Sequence, residues 1–208
     1  MNEILSQAWE AARAMSGWEA IAVVLAIGYL LLAVRENIWC WACAAGSTAI
    51  YTVLFWDSLL ISESLLNAYY LAMAGYGWYQ WRFGGRDHHE LAIRTWSPAR
   101  HGLVILATAA VVPLWGYAMA RWFAADYAYL DAFTTCFAVV TTYMVARKVL
   151  ENWLYWFVID SVSIYLYLQK GFYLTALLFV AYLIIIVFGF LRWLQAYREG
   201  SSPVVAES

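Results

Sequence analysis

Seven stretches of this sequence are apolar over 17 to 23 residues, and no other feature constrains the fold as much. A helix needs about 20 apolar residues to cross the hydrocarbon core of a bilayer. A backbone in lipid must satisfy its own hydrogen bonds, and none of the stretches has the alternation of a barrel strand. The sequence therefore predicts an all-α integral membrane protein. Its seven transmembrane helices are expected at residues 18–34, 38–56, 58–80, 101–120, 129–146, 152–168 and 172–193.

The overall composition agrees with a membrane protein and excludes other classes. Hydrophobic residues make up 65% of the chain and charged residues 12%, whereas soluble domains have about 45–50% and about 25%. No basic cluster is dense enough to indicate a nucleic-acid partner. The first 17 residues lack the basic region of a cleavable signal, so residues 1–17 are expected to remain as an extracytoplasmic segment.

The distribution of Lys and Arg predicts the orientation. With seven spans, the amino-terminal side carries three of these residues, Arg13, Arg121 and Lys170, and the other side carries the remaining nine. Positive residues accumulate on the cytoplasmic side of membrane proteins. We therefore expect the amino terminus outside and the carboxyl terminus in the cytoplasm.

A hexapeptide that occurs twice suggests an internal repeat. ENIWCW at 36–41 and ENWLYW at 151–156 share Glu, Asn and Trp at a separation of 115 positions, and Trp78 and Trp193 have the same separation. If the match is not chance, the chain has two parallel three-helix repeats joined by a linker helix, a 3+1+3 arrangement. The predicted parts are repeat 1 at 18–81, a cytoplasmic loop at 82–100, the linker at 101–120, repeat 2 at 129–195 and a disordered cytoplasmic tail at 196–208.

Polar residues inside the predicted spans indicate a binding site, because such residues are costly in lipid and usually face a cavity. In the sixth span, five polar or aromatic residues recur at spacings of 4, 4, 3 and 4, which is one face of a helix. A second row follows the third span at a matching depth. The two rows are Asn152, Trp156, Asp160, Ser163 and Tyr167 in the sixth span, and Glu63, Asn67, Tyr70 and Trp78 in the third.

Asp160 is the residue hardest to explain as part of an ordinary helix. A carboxylate in the middle of a span costs about 2.5–3.5 kcal/mol on insertion scales, and no span has a Lys or Arg at that depth. Three explanations remain open. Asp160 is neutral, or hydroxyl and amide groups solvate it, or the substrate brings the opposite charge.

Several of these residues also have purely structural interpretations. Most of the 13 Trp residues are expected at the membrane interfaces. In the repeat, Asn37 and Trp41 would match Asn152 and Trp156 and so join the site, but either Asn could instead cap a helix start. Buried polar residues also join helices in sensors and assembly subunits, so such a protein is the alternative from another class.

No pattern in the sequence indicates catalysis, a metal or a cofactor. The chain has no phosphate-binding glycine loop, no GxSxG and no HExxH. Cys40 and Cys43 lie on a predicted span and are expected to be free thiols. The two histidines in GGRDHHE at 84–90 are expected in a solvated loop.

YGWYQW at 76–81, RKVLENWLYW at 147–156 and the seven-span layout together resemble the Pnu family of bacterial vitamin transporters, best known for nicotinamide riboside transport. The resemblance runs from about Trp18 to Trp193. It implies a bacterial inner-membrane homotrimer that resembles a full-length version of the SWEET sugar-transporter architecture. It also implies facilitated diffusion of an unphosphorylated vitamin, which a cytoplasmic kinase then traps by phosphorylation.

The same resemblance assigns substrate contacts to Asn152 and Trp156, and a packing or pocket-edge role to Tyr76 and Trp78. At Asn67, Met73, Ala74 and Asp160 the sequence departs from the riboside type, so a thiamine transporter of the family remains the alternative. Nicotinamide riboside and thiamine both carry a flat cationic ring. Trp156 would attract such a ring through its indole face, and Asp160 would supply the opposite charge. A phosphate on the substrate would be repelled.

Overall fold

A computed structural model describes residues 16–57, 61–85, 90–123, 127–171 and 173–200 of the chain. These residues form seven α-helices. In chain order they are α1 (Gly17–Val34), α2 (Cys40–Asp57), α3 (Ile61–Phe83), α4 (Pro98–Phe123), α5 (Ala128–Ala146), α6 (Asn152–Gln169) and α7 (Tyr173–Gly200).

Each predicted span corresponds to one helix, with differences at the ends. Pro98 begins α4 three residues early, since proline is well suited to the first position of a helix. The predicted tail was placed from residue 196, but α7 continues to Gly200. A hydrogen bond of 2.8 Å from Gln195 Nε2 to Glu199 Oε1 supports this last turn. Residues 1–15 and 201–208 lie outside the described part of the chain.

Four of the described helices are long and apolar enough to cross a membrane: Gly17–Val34, Pro98–Trp122, Ala128–Ala146 and Thr175–Gly200. They belong to α1, α4, α5 and α7. The other described helices, α2, α3 and α6, fall outside this set, and the polar rows predicted from the sequence lie on α3 and α6.

Six of the helices pack as a closed ring. Neighbours contact each other in the order α1, α2, α3, α5, α6 and α7, and α7 returns to α1. Helix α4 packs on the outside of this ring, against α5. The ring therefore consists of α1–α3 and α5–α7, which we call the two halves. The halves meet at two junctions, where α3 contacts α5 and where α7 contacts α1.

The two halves correspond in detail, but at a separation of 112 positions. Helices α2 and α6 begin at Cys40 and Asn152, and α1 and α5 end at Val34 and Ala146. The correspondence at 115 positions, predicted from the hexapeptides, does not hold. The two alignments differ by three residues, which is nearly one turn of a helix. Residues matched at 115 positions therefore still lie on similar helix faces.

Four buried indoles pack together at one end of the ring, and two of them, Trp81 and Trp193, join the halves. We call this end of the ring the basic end, because Arg35, Arg82, Arg147 and Arg198 lie there. The indole nitrogen of Trp81 on α3 donates to the carbonyl of Val145 on α5 at 3.1 Å. Trp193 on α7 donates to Ala33 on α1 at 3.0 Å. The edge-on ring contacts Trp41–Trp81 and Trp153–Trp193 both have centroids 5.4 Å apart.

The chain between α3 and α4 is fixed to the connection between α5 and α6. The backbone nitrogen of Arg94 donates to the carbonyl of Lys148 at 3.0 Å, and Leu150 donates to the carbonyl of Arg94 at 2.8 Å. Because these bonds hold residues 91–97 against the halves, the start of α4 is also fixed at the basic end.

Candidate functional site

The polar row of α6 faces the interior of the ring. Asn152, Asp160 and Ser163 are 0%, 4% and 5% exposed. On the opposite face, Leu154 and Phe157 are 50% and 44% exposed. The helix therefore turns its polar side towards the other helices and its apolar side outwards, as expected for a helix that borders both a cavity and lipid.

Asp160 lies within electrostatic range of two tyrosines from other helices, Tyr70 on α3 and Tyr182 on α7. Within the described part of the chain, no ion pair or hydrogen bond neutralises its carboxylate. The structure thus buries an acid within electrostatic range of two phenol hydroxyls and, among the described residues, pairs it with no cationic side chain.

The group of tyrosines extends to the remaining helices of the first half. Tyr29 on α1 interacts electrostatically with Tyr70, and Tyr51 on α2 interacts with Tyr182. We call Tyr29, Tyr51, Tyr70, Asp160 and Tyr182 the acid–tyrosine cluster. It draws one residue from each of five ring helices, so it lies where the two halves face each other.

Trp156 and Tyr70 come together on the same hydrophobic surface. Both are partly buried and pack against a cluster that includes Phe137 and Ile159. Trp156 lies four residues before Asp160, which is one turn of α6. The structure therefore brings an indole, a phenol and an acid, all predicted from the sequence, to one region.

Asn152 is fully buried at the start of α6. Its side-chain nitrogen donates to the carbonyl of Val149 at 2.7 Å, whereas a helix cap accepts a backbone N–H with its side-chain oxygen. Its side-chain oxygen is buried without a hydrogen-bond partner among the described residues. One acceptor on Asn152 is therefore still available to a ligand or to water.

Three of the predicted residues make packing or turn contacts, and Trp41 among them borders the acid–tyrosine cluster through Tyr29. Trp41 is 2% exposed and packs against Tyr29 and Trp81. Asn37 is exposed in the α1–α2 connection, where its side-chain oxygen accepts from the backbone nitrogen of Trp39 at 3.0 Å. Trp78 packs edge-on against Trp39 with ring centroids 5.5 Å apart. Their contacts support packing and turn roles.

The remaining predicted residues are only partly described. Asn67 on α3 is half-buried and has an interacting partner. The side chain of Glu63 lies outside the described residues.

Sequence reasoning missed Tyr29, Tyr51 and Tyr182 as members of the cluster. A signal was available for Tyr51 and Tyr182. Tyrosines in membrane proteins concentrate at the interfaces, and these two lie well inside predicted spans. A tyrosine in the middle of a span is as informative as an acid there, because its hydroxyl also needs a partner.

The chemistry of this region suits binding rather than covalent catalysis. An acid, phenol hydroxyls and an indole face attract a polar aromatic molecule, and a positive charge would compensate the acid. No group of three or more His, Cys, Asp or Glu residues that could hold a metal occurs among the described residues. An apolar groove of about 330 Å³ lies between α4, α5 and α6, and it is lined in part by Phe137 and Ile159, against which Trp156 and Tyr70 also pack.

Comparison with known proteins agrees with the fold. A family model described as Nicotinamide mononucleotide transporter matches residues 16–195. The riboflavin/roseoflavin transporter RibM of Streptomyces davaonensis is 27% identical over 194 residues, covering 90% of this chain and 89% of RibM. The nicotinamide riboside transporter PnuC of Escherichia coli is 23% identical over 218 residues, covering 92% of this chain and 91% of PnuC.

A solved structure has the same fold. The crystal structure of the vitamin B3 transporter PnuC superimposes with a TM-score of 0.73 at 20% sequence identity. The match covers 95% of this chain and 89% of that chain. The arrangement of helices described above is therefore that of a known membrane transporter.

Proposed function

The chain belongs to the Nicotinamide mononucleotide transporter family, a family of multi-pass membrane transporters for vitamins, and we propose that it carries a flat, positively charged vitamin. Nicotinamide riboside is the substrate that fits best, and thiamine is the alternative. The observation that carries this proposal is Asp160, a buried acid that has no cationic partner among the described residues.

The charge of Asp160 distinguishes among the vitamins. At an effective dielectric constant of about 20, opposite charges about 4 Å apart attract by about 4 kcal/mol, and desolvation of both ions offsets much of this. A cationic pyridinium or thiazolium ring gains the remainder, whereas the neutral ring system of riboflavin gains none. RibM is a riboflavin transporter, so riboflavin is the specific competitor that the comparisons raise.

The charge of Asp160 would also disfavour phosphorylated substrates. The family description, in contrast, names a mononucleotide, which carries a phosphate. A phosphate would bring negative charge towards Asp160, which is unfavourable in a site of low dielectric constant. We therefore propose the unphosphorylated vitamin as the transported form.

Trp156 would stack on the ring, and the remaining polar groups of the vitamin would form hydrogen bonds with Tyr70, Asn67, Asn152 and Ser163. Glu63 would contribute a further negative charge.

The proposed mode of transport is facilitated diffusion between two parallel halves. The correspondence at 112 positions supports a 3+1+3 arrangement in which α4 is the linker, since α4 lies outside the ring. In a bacterial inner membrane, the basic end would face the cytoplasm and the amino terminus would lie outside. A cytoplasmic kinase would then trap the vitamin by phosphorylation. The chain would work as a homotrimer.

Uptake into liposomes tests the proposal. Purified protein should bring radiolabelled nicotinamide riboside to equal concentrations inside and outside, without an ion gradient. Nicotinamide mononucleotide and riboflavin should enter at the rate of empty liposomes. Uptake of riboflavin alone would refute the charge argument but retain a transporter. If no vitamin enters, the alternative of a membrane sensor or assembly subunit is supported instead.

A further inference from the structure

A single ion pair connects the two halves at the basic end. Lys148 Nζ lies 2.8 Å from Glu36 Oε2, and the two side chains are only 8% and 26% exposed. The same ammonium group lies 4.8 Å from the ring centroid of Trp81. Among the described residues, the other ion pairs are Arg82–Glu90 and His101–Glu151, and neither of them joins one half to the other.

Glu36 and Lys148 occupy corresponding positions in the two halves. They are separated by the same 112 positions as the helix starts. Both have a positive φ, 53° and 47°. Residues other than glycine adopt this conformation at a cost, and it persists where the surrounding structure enforces it. Because corresponding positions face each other here, identical charges at both would repel.

The ion pair lies between the two halves at the basic end, against the layer of buried indoles. Asp160 lies eight residues from the start of α6, which is about 12 Å along the helix axis. The buried indoles Trp41, Trp81, Trp153 and Trp193 lie near that start and fill the space between the halves. Lys148 lies against Trp81 on this layer. A molecule leaving the cluster through the basic end must separate these contacts.

We propose that Glu36 and Lys148 form a latch, an ion pair that holds the basic end of the ring closed and separates when a substrate passes. The function of the latch rests on the proposed transport. The closure itself does not, because it depends only on contacts between the two halves.

Cys40 provides a reporter for this closure. It is a free thiol at the start of α2, it is 0% exposed, and it interacts electrostatically with Lys148. In a C43A/C136A background it is the remaining cysteine of the chain. Its rate of alkylation by N-ethylmaleimide in isolated membranes, without any vitamin, reports access to the start of α2. Because the charge of Lys148 also acts on the thiol, a larger maleimide is used in parallel: a change in thiol reactivity alters both rates equally, whereas a change in access alters their ratio.

Substitutions that remove or exchange the charges of Glu36 and Lys148 then test the latch. E36K should raise the alkylation rate at least tenfold, because two ammonium groups repel, and E36Q should raise it less. The double exchange E36K/K148E restores the opposite charges but removes the ammonium group from Trp81, so it should bring the rate below that of E36K without reaching the background. The matched control is E90Q, which breaks the exposed Arg82–Glu90 pair at the same end and should leave the rate unchanged.

Two outcomes would overturn the latch: an unchanged rate in E36K, or a double exchange as fast as E36K alone. If E36K does not elute as folded protein on size exclusion, the alkylation rates of E36Q and K148M are compared with that of the background instead. An unchanged rate in both variants would then overturn the latch. Liposome uptake is measured separately. A protein that fails to transport still reports closure, so failure of the latch and failure of the transport proposal are distinguished.

Discussion

The indole nitrogen of Trp193 donates a hydrogen bond to the carbonyl oxygen of Ala33 at 3.0 Å and so joins the last helix of the ring to the first. Trp81 makes the corresponding bond to Val145 between α3 and α5. The two bonds close the ring at its two junctions between halves. Both indoles are almost fully buried, so neither bond competes with bulk water.

Replacing Trp193 with Phe should destabilise the ring. The substitution keeps an aromatic ring but removes one of the hydrogen bonds to the Ala33 carbonyl, which still accepts from the backbone nitrogen of Glu36 at 3.0 Å. The expected loss is therefore that of a single hydrogen bond, about 0.5–1.5 kcal/mol. The melting temperature of the detergent-solubilised protein should fall. Trp122→Phe is the matched control, since Trp122 is exposed on α4. An equal melting temperature for both variants would show that the bond does not support the closure.

Replacing Trp156 with Ala should weaken vitamin binding about tenfold or more. Loss of the indole removes a cation–π contact worth about 0.5–2 kcal/mol, together with buried ring surface. Calorimetric titration with nicotinamide riboside measures the change. Trp122→Ala again serves as the control and should bind as the unmodified protein does. An unchanged Kd for Trp156→Ala would assign this indole to packing alone.

Replacing Asp160 with Asn should distinguish charged from neutral ligands. The amide keeps the shape of the side chain but removes its charge, so affinity for nicotinamide riboside should fall at least tenfold, or about 1.4 kcal/mol. A neutral reduced analogue should bind with little change. Titration of both ligands against both proteins measures the difference. Equal losses for the two ligands would contradict the role of charge.

Replacing Gly189 with Ala should be destabilising, because of a close helix approach. An added Cβ would lie 2.7 Å from ring atoms of Trp153, and the corresponding Gly77 meets Trp41 in the same way. Overpacking of this kind costs about 1–3 kcal/mol. At Gly102 an added Cβ meets nothing within 4 Å, so Gly102→Ala should be neutral or stabilising. Thermal unfolding of the two variants tests the contrast.

The predicted site was only partly recoverable from the sequence. Asp160, Trp156 and Tyr70 could be selected as candidates because a polar or aromatic row on one helical face is visible in a single segment. The hexapeptide match, in contrast, led to the wrong alignment and matched Trp41 with Trp156. In the structure, Trp41 corresponds to Trp153, and both are core residues that fill the space next to a glycine.

The sequence by itself determined the seven helices and the inward face of α6, because apolar length and helical spacing are properties of one continuous segment. Only the tertiary structure decided that Tyr182 lies near Asp160, that the halves correspond at 112 positions and that Glu36 meets Lys148. Each of these depends on which helices are neighbours and at what height they contact. Such contacts join residues far apart in the chain, and no local pattern records them.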